Sequence, residues 1–130
     1  MDIQTHRRLS PALCGTPVAL GEGTAVVALD TTDDMAADAE GLVHGGFVFG
    51  AADHAAMLAV NHPLVVLVSA QCNFVAPVRV GDRVRCAAER TAIDGRKHPV
   101  RVVATVDDRT VFTADFVAAI PSRHVLAPRP

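Results

Sequence analysis

The sequence predicts an α+β domain in which an antiparallel sheet of five or six strands wraps around one long, buried helix. Residues 46–61 are apolar on every side of a helix, which is typical of a helix buried all round. After Pro63 the hydrophobic period changes to two, which indicates a series of strands. With 130 residues, half of them hydrophobic, the chain suits one domain with a full core.

The elements follow one another without a linker or repeat, so one domain is expected over residues 1–130, with its core in about 16–120. The two ends, 1–15 and 121–130, are expected to be irregular. Residues 18–31 indicate one or two strands broken near Gly21 and Gly23. Residues 32–40 form an acidic connection with room for one helical turn.

The helix over 46–61 is rich in alanine, which lets a sheet approach closely, and the His62-Pro63 pair stops it after Asn61. Four strands are predicted after it, at about 64–75, 83–93, 100–106 and 110–120. Asp94-Gly95 is a strong hairpin signal. The last three strands are therefore expected to form an antiparallel meander.

The composition argues against several classes of protein. A net charge of −2 argues weakly against a nucleic-acid binder, because the basic residues are not concentrated in the sequence. Cys14, Cys72 and Cys86 have no metal-binding spacing, so neither a metal site nor a disulfide framework is expected, and free thiols suit a cytoplasmic location. The apolar stretch 41–61 contains Asp53 and four glycines, so it is not expected to span a membrane.

Asp53 is the only charged residue between Glu40 and Arg79, and it lies in the middle of the predicted helix. Burying an unpaired carboxylate is costly, so the residue is either a structural carboxylate with a partner or a catalytic group. As a catalytic group it is a general base or a nucleophile. Burial raises the pKa of such a group and a helix dipole of another chain lowers it, so the sequence leaves the balance open.

Gly45 and Gly46 lie where the helix is predicted to start. A helix start presents free N–H groups and a partial positive charge, and glycine lets a substrate carbonyl approach the backbone. The pair is therefore suited to an oxyanion hole, although glycines here also make an ordinary tight turn.

This pattern resembles the hotdog-fold acyl-CoA thioesterases of the phenylacetate-degradation (PaaI-like) type, over roughly residues 16–120. The matching positions are His44, Gly45, Gly46, Asp53, Asn61, Pro77, Gly81 and Asp82. The resemblance implies a hotdog fold and hydrolysis of an acyl-CoA to free acid and CoA, without a metal or organic cofactor. It also implies the Gly45 N–H as oxyanion hole and Asp53 as the acid, in sites at a dimer interface.

The spacing independently favours a shared site. His44 and Asp53 would lie about 13 Å apart along one helix, so one thioester carbonyl cannot touch both. A two-fold dimer that places Gly45 of one chain near Asp53 of the other removes this conflict. We therefore expect an obligate homodimer, with a tetramer as a further assembly.

Several side chains are secondary candidates. Ser69, Gln71 and Asn73 share one face of a strand that the resemblance places beside the site, and with Gly46 and Asn61 they complete the expected substrate contacts. His44 counts among the expected catalytic residues, as a group that orients the turn or the site, whereas His54 is interpreted as a core or interface histidine.

The arginines of the predicted strands have two possible roles. Arg83, Arg85 and Arg101 could meet CoA phosphates, but an exposed polar face is the favoured reading. Met57 stands where some hotdog branches carry a hydroxyl, which leaves the group that positions water open.

Two other functions stay open for a chain of this kind. A hotdog hydratase or dehydratase acting on acyl-CoA or acyl-ACP is one, although its histidine spacing differs from Leu42-Val43-His44-Gly45-Gly46. A non-catalytic acyl-CoA-binding hotdog protein is the other, and Asp53 argues against it because a pure binder needs no acid beside the thioester.

Overall fold

The computed structural model describes residues 1–128, and its elements follow the predicted order. The helices are α1 (Pro11–Cys14), a 3₁₀ turn (Asp33–Met35) and α2 (Gly45–Val60). The strands are β1 (Thr16–Gly21), β2 (Thr24–Asp30), β3 (Val66–Phe74), β4 (Arg83–Arg90), β5 (Lys97–Val106) and β6 (Arg109–Ala119). The predicted α+β hotdog architecture, one long helix against a six-stranded antiparallel sheet, is confirmed.

The sheet has the order β1-β2-β4-β5-β6-β3, and β4, β5 and β6 form the expected meander. The turn between β5 and β6 has Asp107 and Asp108 at φ 48° and 66°, a left-handed pair that suits the twist of a tight hairpin. Strand β3 does not pair with the strand that follows it. Instead it crosses to the far side of the sheet and pairs with β6 alone, so it forms an edge.

Helix α2 lies across the inner face of the sheet, chiefly against β2 and β4. Its alanines make this close packing possible, and the five that are at most 1% exposed are Ala51, Ala52, Ala55, Ala56 and Ala59. The helix ends at Asn61, which adopts the left-handed conformation (φ 53°) and donates its N–H to the Met57 carbonyl at 2.8 Å. The predicted helix and its stop are thus confirmed to within one residue.

The N-terminal segment packs against α2 rather than hanging free. Residues 1–15, expected to be irregular, include the short helix α1, whose first turn accommodates Pro11. His54 Nδ1 lies 3.0 Å from the Cys14 carbonyl oxygen. Asn61 accepts a hydrogen bond from the Gln4 N–H and donates one to the Asp2 carbonyl, both at 2.8 Å. At the other end, the irregular tail is predicted over residues 121–130, and its last two residues, 129–130, lie outside the described residues.

The edge formed by β3 leaves large apolar side chains in contact with solvent. Val68, Phe74 and Val75 are each more than half exposed, and Leu42 is 42% exposed. An exposed, apolar sheet edge is a surface that proteins normally cover with another chain.

A search of the described residues for a helix both long and apolar enough to cross a membrane finds none.

Candidate active site

The first turn of α2 begins after His44, which has an extended conformation (φ −62°, ψ 128°) and forms no side-chain cap. The Phe47 N–H of this turn donates to the His44 carbonyl at 3.1 Å, whereas the N–H groups of Gly45 and Gly46 have no acceptor among the described residues and are available to a ligand. The His44 imidazole folds over the turn, because a Cβ on Gly46 would lie 3.0 Å from His44 Nε2. The backbone N–H of His44 donates to the Met35 carbonyl at 2.8 Å, which fixes the approach to the helix.

Gly45 lies directly against an aromatic ring. A Cβ at this position would approach Phe74 Cε1 to 2.8 Å, so the ring of Phe74 packs against the glycine backbone. The Phe74 ring is held edge-on by Phe112, with centroids 5.1 Å apart. The contact explains why residue 45 is glycine, and it places an apolar wall next to the free amide.

A cleft of about 270 Å³ opens beside this turn. Its walls are apolar side chains and the backbone of Gly45, and they come from the segment before α2, the helix start, the end of β3 with the chain after it, and β6. The lining residues are Leu42, Val43, Gly45, Val48, Phe74, Ala76, Pro77, Val78 and Val111. Such a cleft can take an uncharged group attached to a carbonyl that lies at the Gly45 amide.

Asp53 lies near the middle of α2 and is largely buried. Its Oδ1 is shielded from solvent and has no hydrogen-bond partner among the described residues. Desolvation by burial raises the pKa of the Asp53 carboxyl from 3.8 to about 6. A buried carboxylate without a partner is uncommon in a structural role, and a raised pKa close to neutrality is what a general base requires.

The amide and the acid are not brought together within one protomer. Gly45 and Asp53 are eight residues apart on the same helix, which corresponds to about 12 Å. Gly46, Gly50 and Asp53 do share one face of α2, at intervals of four and three residues. This face is the partly open side of the helix, since the other sides are buried against the core.

The polar residues of β3 lie on the face of the sheet opposite α2. Ser69, Gln71 and Asn73 pair with Val117, Asp115 and Thr113 of β6. Those β6 positions alternate with the buried ones, so all three side chains lie on the outer face of the sheet, whereas Ala70, Cys72 and Phe74 face inward. Within the protomer this face does not meet the helix, and the expected contact of the three residues with substrate stays a prediction.

Asn61 and His54 have structural partners. Both polar ends of the Asn61 side chain are occupied by the backbone of residues 2 and 4, which anchors the N-terminus. His54 is 5% exposed and hydrogen-bonds the Cys14 carbonyl, in keeping with its reading as a core histidine. Burial lowers the pKa of the His54 imidazole, which favours its neutral form.

The arginines considered for CoA phosphates belong to the exposed face of the sheet. Arg83 pairs with Asp30 at 2.9 Å and Arg101 with Asp115 at 3.1 Å, all with exposed side chains. These pairs are surface ion pairs, as the favoured reading expected, and they lie on the face opposite α2.

Two features near α2 escaped sequence reasoning. The contact of Phe74 with Gly45 joins residues 29 positions apart and depends on the crossing of β3. His98 is buried with an unpartnered Nδ1 among the described residues, yet its sequence reads as a loop residue. The alternation His98, Val100, Val102 is the signal that could have placed it on the inner face of β5.

A family model described as the thioesterase superfamily matches residues 40–113, from just before α2 into β6. The chain belongs to the thioesterase superfamily. The match includes the glycine turn and Asp53, and the expected likeness to its PaaI-like hotdog members is confirmed.

Solved structures of two other proteins are similar to most of the chain. An uncharacterized protein, PH1136 from Pyrococcus horikoshii, is 42% identical with a TM-score of 0.96 and covers 98% of both chains. An N33D mutant of the phenylacetic acid degradation protein PaaI from Thermus thermophilus is 29% identical with a TM-score of 0.78, covering 85% of this chain and 96% of that one.

The curated relatives have mixed names. A methylthioribose-1-phosphate isomerase of Aquifex aeolicus is 48% identical over 116 residues, which are 89% of this chain and 25% of that protein. The transcription factor FapR of Shouchella clausii is 30% identical over 95 residues, 73% of this chain and 50% of that protein. The chain thus spans a quarter to a half of the length of these relatives.

Proposed function

We propose that the protein hydrolyses an acyl-CoA thioester to a free acid and CoA, in a site shared by two protomers. The observation that carries the proposal is Asp53, a buried carboxylate without a partner on the same helix whose uncapped start presents Gly45. Membership of the thioesterase superfamily supports the choice of a thioester as substrate.

In the proposed reaction the thioester carbonyl oxygen accepts a hydrogen bond from the Gly45 N–H. Asp53 acts in one of two ways. As a base it takes a proton from water, whose oxygen attacks the carbonyl carbon. As a nucleophile its own oxygen attacks, and water then hydrolyses the resulting anhydride. Both routes expel the CoA thiolate, and both need the ionised carboxylate, which predominates above the pKa of about 6. His44 holds the turn in place.

The two halves of the site come from different chains in this proposal. Gly45 and Asp53 of one protomer are about 12 Å apart along α2. A two-fold axis would bring Gly45 of each protomer next to Asp53 of the other. The exposed apolar side chains of the β3 edge support such a homodimer, because this edge ends at Phe74, whose ring packs against Gly45. A tetramer would use the outer face of the sheet, where Val26, Ala87 and Val103 form an apolar row.

The acyl group is placed in the cleft beside Gly45, whose walls carry no charged side chain. The proposed location of the reaction is the cytoplasm, which agrees with three unpaired cysteines.

The test is a panel of acyl-CoA esters followed by release of free thiol. Wild-type protein should release CoA from at least one uncharged acyl-CoA. Asp53→Asn should keep binding and lose turnover by a factor of about 100 or more. Asp34→Asn, which removes an exposed carboxylate from the 3₁₀ turn, is the matched control and should keep wild-type rates. Full activity in Asp53→Asn would show that the assigned role is wrong.

A second experiment can identify the nucleophile route. In a single turnover with excess enzyme in ¹⁸O-labelled water, ¹⁸O in the Asp53 carboxyl would demonstrate an anhydride that water opens at the Asp53 carbonyl, because the base route sends all of the ¹⁸O to the acid product. Mass spectrometry of the peptide that contains Asp53 reads the result.

The alternative is a domain that binds acyl-CoA without hydrolysing it. The 30% identity to a protein named as a transcription factor favours this possibility. Calorimetry with the same acyl-CoA panel would then show binding, while the thiol-release assay would show no hydrolysis. Asp53→Asn would leave the acyl-CoA affinity unchanged.

A further inference from the structure

Gly50 lies in the middle of α2, and nothing in the protomer accounts for a glycine at this position. A Cβ built there meets no atom of residues 1–128 within 4 Å, in contrast to Gly45 and Gly46, which Phe74 and His44 approach closely. Glycine in a helix interior lowers the folding equilibrium about fivefold relative to alanine. Glycine at position 50 therefore destabilises the protomer, and no side chain of the same protomer packs into the space that it leaves open.

Gly50 lies on the face of α2 that carries the proposed chemistry. It is one turn after Gly46 and three residues before Asp53, so all three project from the same side of the helix. Its neighbour Phe49 turns the other way, with its ring edge-on to Phe112 and Phe116 at 6.4 and 5.4 Å between centroids. At this level of the helix, Gly50 is thus the residue that faces outward.

The symmetry of the shared site determines what faces Gly50. If Gly45 of each protomer meets Asp53 of the other, the two α2 helices run antiparallel past each other. The two-fold axis exchanges the two Gly45–Asp53 contacts, so it crosses each α2 helix at the height midway between residues 45 and 53, which is residue 49. Gly50 is one residue from that level, about 1.5 Å along the helix.

We propose that the α2 helices of two protomers cross at Gly50, and that the missing side chain sets the distance between them. The inference rests on the two-chain site of the proposed function. A methyl group at each Gly50 separates the helices and lengthens the gap from the Gly45 amide to the Asp53 carboxylate of the other protomer. Gly50 is therefore a positioning residue, since it acts on the reaction through the spacing of two other groups.

The experiment compares wild type with Gly50→Ala and Gly50→Val in the full chain. A dilution series in analytical ultracentrifugation gives the dimer dissociation constant, thermal unfolding gives the Tm, and thiol release gives kcat and KM. We expect the dissociation constant to rise at least tenfold with alanine and further with valine. We also expect kcat to fall at least tenfold with little change in KM, because the catalytic spacing and not the acyl cleft is altered.

The protomer alone predicts the opposite sign for alanine. Without a neighbour at Gly50, the gain in helix propensity would raise the Tm by about 3 to 5 °C. Such a rise with unchanged dimerisation and kcat would overturn the proposal. So would an unchanged dimer in which KM rises with the size of the acyl group, because the substrate would then occupy the space. If wild type hydrolyses no thioester, the proposed function fails, while the dimer constant and the Tm still decide the role of Gly50.

Discussion

Replacing Asp53 by asparagine should stabilise the protein at neutral pH while it abolishes the proposed activity. Burial raises the pKa of the Asp53 carboxyl from 3.8 to about 6. At 1.36 kcal/mol for each pH unit, that difference corresponds to a penalty of up to about 3 kcal/mol for holding the ionised group in the fold. Asparagine has nearly the same shape and removes the charge, so the penalty disappears with it.

The sign follows from proton binding. Between pH 4 and 6 the folded state holds a proton at Asp53 that the unfolded state has released, so stability falls as the pH rises through this window. The penalty is complete above pH 6 to 7 and absent below pH 4, where the carboxyl is neutral in both states. Asp53→Asn should therefore gain up to about 3 kcal/mol at pH 8 and little at pH 4.

Denaturant unfolding at pH 4 and pH 8 measures this difference directly. For a domain of 130 residues the gain at pH 8 corresponds to a rise in Tm of about 10 °C. Asp34→Asn, an exposed position, controls for the loss of one negative charge and should not change with pH in the same way. An equal effect of Asp53→Asn at both pH values would refute the reasoning, because it would mean that folding does not desolvate this carboxylate.

Three further predictions concern the site. The rate constant kcat/KM should rise with pH through an apparent pKa near 6 and level off above 7, since the ionised Asp53 is the active form, and a flat profile from pH 5 to 8 in the thiol-release assay would contradict this. Gly45→Ala should lower kcat at least tenfold, because its Cβ would lie 2.8 Å from the Phe74 ring, and the double variant with Phe74→Ala should recover part of the rate if that contact is the cause. Asn61→Gly keeps the left-handed helix end and removes two side-chain hydrogen bonds, so it should cost about 1 to 2 kcal/mol in chemical denaturation and leave KM unchanged, whereas a raised KM would restore Asn61 to the substrate site.

The sequence was a good guide wherever the signal is local. The unbroken apolar run and the His62-Pro63 stop located α2 to within one residue at each end, and Asp94-Gly95 marked the β4–β5 hairpin. A helix that is apolar on all sides can be stable only inside a sheet, so the layer arrangement followed as well. Asp53 was conspicuous for the same reason, because one charge in an apolar helix has few physical explanations.

What the sequence could not supply is the lateral order of the strands. The run from β3 to β4 contains Pro77 and a glycine turn, which reads equally well as a hairpin or as a crossover. The crossover moves β3 to the far edge, and its register then turns Ser69, Gln71 and Asn73 away from the helix. Period-two alternation shows which residues share a face, but the choice of face depends on pairing with a strand about 45 positions later.

The crossover also has a functional consequence. By leaving β3 unpaired on one side, it leaves the exposed side chains of Val68 and Val75 along a free edge, and the Phe74 end of that strand contacts the Gly45 backbone. An unsatisfied edge and an unsatisfied carboxylate are each unfavourable for an isolated protomer. A second copy that pairs along β3 would cover the edge and bring its own helix start toward Asp53. Dimerisation would then give both the unpaired edge and the unpaired carboxylate a partner. In the proposed two-chain site, the carboxylate that destabilises a single protomer becomes a catalytic group only when two chains meet.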